Sequence, residues 1–247
     1  MAYLSYISDE NLLTHIRSTL TAYRETLRRI DLSAFNSNII DPIKLTFDSI
    51  VYGKEIETII NEEIVRQRDK TNTNAIGYFH QNLFAYLDNC EIPRVGFDIV
   101  YSGENTVYVE LKNKHNTMNS SSSQKTYTRM LNKIANEAEC ECYLVEVMAR
   151  RSQNIVWRVS LDSEPMQNER IRRVSIDKFY EIVTGQRDAF FNLCRVLPQV
   201  IERVVNETLA DEREEDTVIE ELRRENQNLL KALYLLAFRT YEGFDAF

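Results

Sequence analysis

Residues 94–114 read RVGFDIVYSGENTVYVELKNK, and the alternation in this stretch decides the fold. "RVGFDIVY" (94–101) and "TVYVELKNK" (106–114) alternate with period two, and the intervening "SGEN" is a turn cluster with a glycine. Such a pattern predicts a β-hairpin. Alternate side chains of a strand share a face. Val107, Val109 and Leu111 therefore turn toward a core, while Glu110 and Lys112 point the other way, about 7 Å apart at roughly 3.4 Å per residue. Asp98 lies between Phe97 and Ile99 on the preceding strand, where the hairpin can set it beside Glu110. Two carboxylates and one ammonium then converge on one patch of a sheet.

Phosphodiester cleavage asks for this combination. Mg²⁺ is a hard cation that prefers carboxylate, carbonyl and water oxygens. Bound there, it neutralises charge developing on phosphorus and acidifies a water. A neighbouring lysine can orient that water and contact the phosphate. The same E-x-K also suits a plain surface ion pair, so the residues beyond the strand carry weight. Residues 113–125, "NKHNTMNSSSSQK", are basic at the start, rich in amides and hydroxyls, and free of acids. Asn113, Lys114, His115, Asn116, Thr117, Asn119, Ser120, Ser121, Ser122, Ser123, Gln124 and Lys125 could thus meet phosphates and base edges without repulsion. The composition is also that of a flexible linker. Its position, before a helical run carrying Lys125, Arg129 and Lys133, favours DNA.

Working outward, the N-terminal part reads helical. Ser8 or Asp9 can cap "ENLLTHIRSTLTAYRETLRRI", and a second helix is expected over about 47–68, with Ile56, Ile59, Ile60 and Ile64 on its apolar side. The polar "DKTNTN" (69–74) should break it, before a buried helix "AIGYFHQNLFAYL". After the hairpin come a helix in "KTYTRMLNKIANEA", a buried strand "CYLVEVMA" and a strand "IVWRVS". A polar connection with Arg170, Arg172 and Arg173 leads to a helix capped by Ser175 and stopped at Gly185. Pro198 should interrupt or begin a further helix. A long last helix over about 211–238 carries Val218, Leu222, Leu229, Ala232 and Leu236. The class is α/β, a mixed central sheet flanked by helices, with helical N- and C-terminal extensions.

Bulk properties exclude several classes. The chain has 247 residues, net charge −8, and few breakers, with six Gly and four Pro. The acidity argues against nucleic acid until its distribution is seen. Residues 110–133 hold five bases and one acid, whereas 201–226 hold ten acids and four bases. Four cysteines without C-x-x-C spacing and three histidines make no zinc pattern. There is no signal-peptide pattern and no apolar run long enough for a membrane span, so a cytoplasmic protein with reduced thiols is expected.

"GFDIVYSGENTVYVELKNKHNTMNSSSSQKTY" resembles the active-site region of the PD-(D/E)XK type II restriction endonucleases, and more narrowly the SinI-like group that cuts GGNCC or GGWCC sites. "IGYFHQNLF", "CYLVEVMARRSQNIVW" and "RRVSIDKFYEIVTG" extend the resemblance over roughly 41–205. The resemblance implies Asp98, Glu110 and Lys112 as catalytic residues. It implies Mg²⁺ held by Asp98, Glu110 and the carbonyl of Leu111, and strands cut after the first G. Double-stranded DNA and a homodimer are the implied partners, since a palindrome presents two symmetric phosphates. Phe97 stands where the family often has proline. The implied division is an endonuclease domain over 1–205, with its catalytic core at about 41–185, and an acidic helical extension over 206–247. Another nuclease of this fold, for repair or branched DNA, and a non-catalytic DNA-binding relative are the alternatives.

Other residues are weighed against plainer roles. Glu57 and Glu63 could bring a further acid to the metal, or face solvent with Glu62, paired with Arg66 or Lys54. Gln124 could touch DNA or cap a helix. Glu146, in a buried strand, needs a partner such as an arginine. His80 suits a hydrogen-bonded core position. Arg150, Arg151, Arg170, Arg172 and Arg173 could bind phosphates or read guanines. The C-terminal stripe could pack on its own domain or form a dimer seam.

Overall fold

The expected hairpin forms as β2 (Ile99–Ser102) and β3 (Thr106–Lys114), with Ile99 opposite Val109 and Ser102 opposite Thr106. The computed structural model describes residues 2–115, 118–161, 164–208, 214–242 and 244. They include a six-stranded mixed sheet in the order β1-β2-β3-β4-β6-β5. β1 (Cys90–Glu91) pairs antiparallel with β2, β4 (Cys140–Met148) lies parallel to β3 and to β6 (Glu164–Ser175), and β5 (Asn154–Leu161) is antiparallel to β6.

Helix α6 (Ser120–Asn136) crosses from β3 to β4, as two neighbouring parallel strands require. Its Tyr127, Met130 and Ile134 bury against Cys142, Leu144, Trp157 and Ile171 of the sheet. By alternation, Val107, Val109 and Val145 point to the other face, where α7 (Ile176–Thr184) packs on β4 and β6. This architecture is the α/β arrangement expected from the sequence.

Four features differ from expectation. The polar connection before Ser175 is strand β6, whose inward residues Ile171 and Val174 are fully buried. Its polar residues hid the strand, whose backbone β4 and β5, on either side, satisfy with hydrogen bonds. The helical break falls at Gly53 and not at 69–74. Gly53 caps α3 (Pro42–Tyr52) at φ 61°, a left-handed backbone that glycine adopts without strain. α4 (Ile56–Gly77) then runs through "DKTNTN", which contains no Gly or Pro. Pro198 lies inside α8 (Ala189–Glu207), and the last long helix divides into α9 (Val218–Glu225) and α10 (Leu229–Phe238), where Asn228 restarts the chain by accepting from the Lys231 N–H. Gly185 ends α7 at φ 69°, as expected.

The chain forms two compact units, one of residues 1–19 and 76–208 and the other of 20–75 and 209–247. The first contains the sheet. The second has its own core, in which Phe35, Leu45, Ile59, Ile60 and Ile64 meet Val218, Leu222, Leu229, Ala232 and Leu233. The C-terminal stripe thus packs on its own unit.

Candidate active site

Two hydrogen bonds place the acid that precedes the hairpin. Gly96 takes φ 106°, a conformation open to glycine, and so turns the chain into β2. Asp98 then donates its backbone N–H to the Val109 carbonyl at 2.8 Å, one step beyond the β2–β3 ladder. In that register Asp98 stands opposite Glu110. Its Oδ2 accepts the Leu111 N–H at 2.7 Å. Burial raises the Asp98 carboxyl above its ordinary range; the Leu111 N–H works against this and the Glu110 charge adds to it.

Glu110 is nearly buried and faces α6. Lys112 Nζ donates to Glu110 Oε1 at 2.8 Å, and Arg129 of α6 donates to Oε2. The Arg129 guanidinium lies 4.7 Å from the centre of the Phe97 ring and donates to the Gly96 carbonyl at 3.2 Å. Phe97 is therefore the platform for a cation. Glu110 and Lys112 open on a cleft of about 900 Å³ whose opposite wall is α6, through Ser122, Lys125, Arg129 and Asn132. These four recur at three- and four-residue steps, so one face of the helix lines the cleft.

The residues after β3 separate into groups. Asn113 and His115 are half-buried and Lys114 is exposed, while Asn116 and Thr117 lie outside the described residues. Ser120–Ser123 are not a linker but the first turn of α6. Asn119 caps it by accepting the Ser122 N–H at 2.8 Å. Gln124 donates to the Ser160 carbonyl at 2.8 Å, and Lys125 faces the cleft. Lys133 is tied down: it bridges to Glu137 at 2.7 Å and sits 3.9 Å over the Tyr108 ring, and these partners hold its ammonium above the usual lysine range.

The buried Glu146 has the arginine partner its environment required. Arg173 Nε donates to it at 3.0 Å, and the guanidinium also reaches His115 Nδ1 at 2.7 Å. The same Nδ1 lies 3.3 Å from Glu146 Oε2, so the ring is held against both members of the buried pair. Arg170 donates to the Ala138 and Ile134 carbonyls at the end of α6, and Arg172 to Asn154. Of the five arginines weighed for DNA, these three are engaged in the fold; Arg150 and Arg151 are exposed.

Glu57 and Glu63 belong to the second unit, and each carboxylate meets an arginine there. Glu63 binds Arg66 Nε at 2.6 Å and accepts from Gln67, Glu57 binds Arg223, and Glu62 binds Lys54. Glu62 is exposed and Glu57 half-exposed in their pairs, whereas Glu63 is buried in its own. His80 bonds Tyr180 through Nδ1 at 3.1 Å within an aromatic cluster, the core role expected of it.

The donor chemistry fits a hard divalent cation. Asp98 and Glu110 are adjacent across one strand pair, and Glu110 presents both oxygens to positive charge. Among the described residues no group of three or more His, Cys, Asp and Glu could hold a metal. A cation here would take the two carboxylates, the Leu111 carbonyl and water, a set that suits Mg²⁺ better than zinc. Sequence reasoning missed Arg129 as the direct partner of Glu110. Its spacing from Ser122 and Lys125 was the available signal.

Comparison with known proteins bears on this geometry. Residues 4–206 match the family described as Eco47II restriction endonuclease. The type II restriction enzyme Sau96I of Staphylococcus aureus is 33% identical over 205 residues, covering 79% of this chain and 78% of that protein. The type II restriction enzyme Eco47II of Escherichia coli is 26% identical over 223 residues, covering 86% of this chain and 92% of that protein.

Proposed function

The chain belongs to the Eco47II restriction endonuclease family, a family of site-specific deoxyribonucleases that act on double-stranded DNA, and from this premise we propose that it cuts both strands of a short GGNCC-like palindrome with Mg²⁺ as cofactor. The observation that carries the reading is the pairing of Glu110 and Lys112 at the floor of a cleft walled by α6, with Asp98 opposite Glu110 on the neighbouring strand.

The chain's own residues divide the work. Asp98 and Glu110, with the Leu111 carbonyl, would hold the divalent cation, which supplies electrostatic stabilisation of the charge developing on the phosphate. Lys112, half-buried beside Glu110, orients the attacking water and meets the scissile phosphate. Lys125, the hydroxyls of Ser120–Ser123 and the end of β3 from Asn113 to His115 offer donors to the backbone and bases. His115, held through Nδ1 by the Arg173–Glu146 pair, adds a ring that can meet a base edge or a phosphate. We place the catalytic core within 41–185 and read 206–247 as an extension. A homodimer follows from the two symmetric phosphates of a palindrome. The GGNCC-like site rests on the sequence resemblance around residues 96–127.

Incubating plasmid with the protein and Mg²⁺ tests the reading. Discrete fragments whose ends share one sequence are expected. Cutting confined to branched substrates would replace restriction with a repair or resolvase role, and no cleavage of any DNA would overturn catalysis.

A further inference from the structure

The second unit carries an apolar face that its own core leaves uncovered. On α3, Leu45 is buried while Ile43, Phe47, Ile50 and Val51 are 50%, 65%, 76% and 69% exposed. Their spacing of four, three and one sets them within about 100° of the helix circumference, opposite Leu45. Ile39, three residues before the helix, is 86% exposed and holds φ 53°. A β-branched residue at positive φ is strained, and here the strain presents an isoleucine to solvent. The four helix residues together expose roughly 450 Å², within the range for the largest patch on a monomer. Roughly 800 Å² is what one partner contributes to a standard interface.

We propose that this face of α3 is the contact between two copies of the chain, packed antiparallel about a two-fold axis near Phe47. The proposal rests on the palindrome-cutting reading for why two copies are needed, but the surface is chosen on independent grounds. The obvious competitor, the C-terminal stripe, is buried in its own unit. Charge selects the occupant. Lys44 and Asp48, an i,i+4 ion pair, lie along one flank of the stripe, on either side of its centre. A two-fold axis perpendicular to the helix keeps that flank on the same side and reverses its direction. Lys44 of each copy then comes beside Asp48 of the other, while Phe47 meets Phe47. A parallel pair would carry the charged flanks to opposite edges and lose this match. The other flank borders α10, where Thr46 and Tyr234 hydroxyls are 3.1 Å apart. Self-complementary charge around an apolar centre is the property an isologous interface needs.

Sedimentation equilibrium of the full chain, alone and as variants, tests the proposal. The wild type should be a dimer, and Phe47→Asp with Ile50→Asp should weaken association at least a hundredfold while circular dichroism is unchanged. Lys44→Glu and Asp48→Lys should each weaken self-association, and mixing the two should restore it as a heterodimer. A purely intrachain role for the Lys44–Asp48 pair would not produce this rescue. A monomeric wild type, an apolar double variant that still dimerises with wild-type affinity, or a mixture no tighter than its components would each overturn the proposal. Plasmid cleavage measured in parallel separates the two readings. Dimers insensitive to α3 changes with intact cutting sink only the interface, and an α3-dependent dimer that never cuts sinks only the nuclease reading.

Discussion

Arg129, on the helix that walls the cleft, is ion-paired to Glu110, on the strand that floors it, while its guanidinium lies over Phe97. The pairing joins the two elements at the point where chemistry is proposed. It also gives α6 a role beyond packing, since a cation there would compete with the proposed metal for the same carboxylate oxygen and could meet a phosphate.

Arg129→Ala is accordingly expected to lower the single-turnover cleavage rate about tenfold to a hundredfold at saturating Mg²⁺. The Mg²⁺ concentration for half-maximal rate should fall, because a competitor has been removed. Arg129→Lys should be intermediate, since it keeps charge but loses the planar contact with Phe97. A Mg²⁺ titration of plasmid cleavage checks both, and a wild-type profile for Arg129→Ala would refute the role.

Glu110→Ala should abolish measurable cleavage while leaving site-specific DNA binding intact or slightly tighter. Removing the carboxylate takes away a ligand yet leaves Lys112 and Arg129 facing the phosphates. Gel-shift and cleavage assays on one duplex make the comparison. Full activity in this variant would remove Glu110 from the metal site.

Arg173→Ala should be strongly destabilising, by about 3–5 kcal/mol, because Glu146 is 1% exposed and would keep its charge without its guanidinium. Glu146→Gln in the Arg173→Ala background should recover part of the loss by removing the orphaned charge. Urea unfolding of the three proteins would show it; an Arg173→Ala loss under about 1 kcal/mol would contradict the buried-pair account.

Two core histidines set an acid limit on stability. Burial lowers His15 from 6.5 to about 4, and burial, reinforced by His15, lowers His80 to about 4. Both are therefore neutral in the folded protein near neutral pH, and their contribution is complete above 6.5. It is lost as pH falls through that value toward 4, because the unfolded chain takes up protons the folded one refuses. Each adds a slope of up to about 1.4 kcal/mol per pH unit across this window. Replacing His80 with Phe should flatten urea stability measured from about pH 7 to about pH 4.5 by about one proton; an unchanged slope would rule out its neutral burial.

How much was legible in the sequence depends on the range of each signal. The 94–114 hairpin, the shared face of Glu110 and Lys112, the Gly185 stop and the Asn/Ser stretch are properties of a few consecutive residues, so period and turn chemistry exposed them. The "ELKNKHNTMNSSSSQ" string was specific enough to indicate the family. β6 was not legible, because a strand with Gln167, Asn168, Arg170 and Arg172 gains its stability from neighbours distant in sequence. The true start of α6 depended on Asn119 accepting the Ser122 N–H, one cap among several polar residues that could have provided it.

By itself, then, the sequence determined the class of fold and the three groups that converge, because backbone alternation dictates which side chains share a face. Only the tertiary structure decided their partners. Which cation meets Glu110, which arginine neutralises Glu146 and which apolar stripe stays uncovered depend on contacts between residues far apart in the chain. Long flexible side chains such as Arg129 and Arg173 settle by electrostatics in space, and no local period encodes where they end.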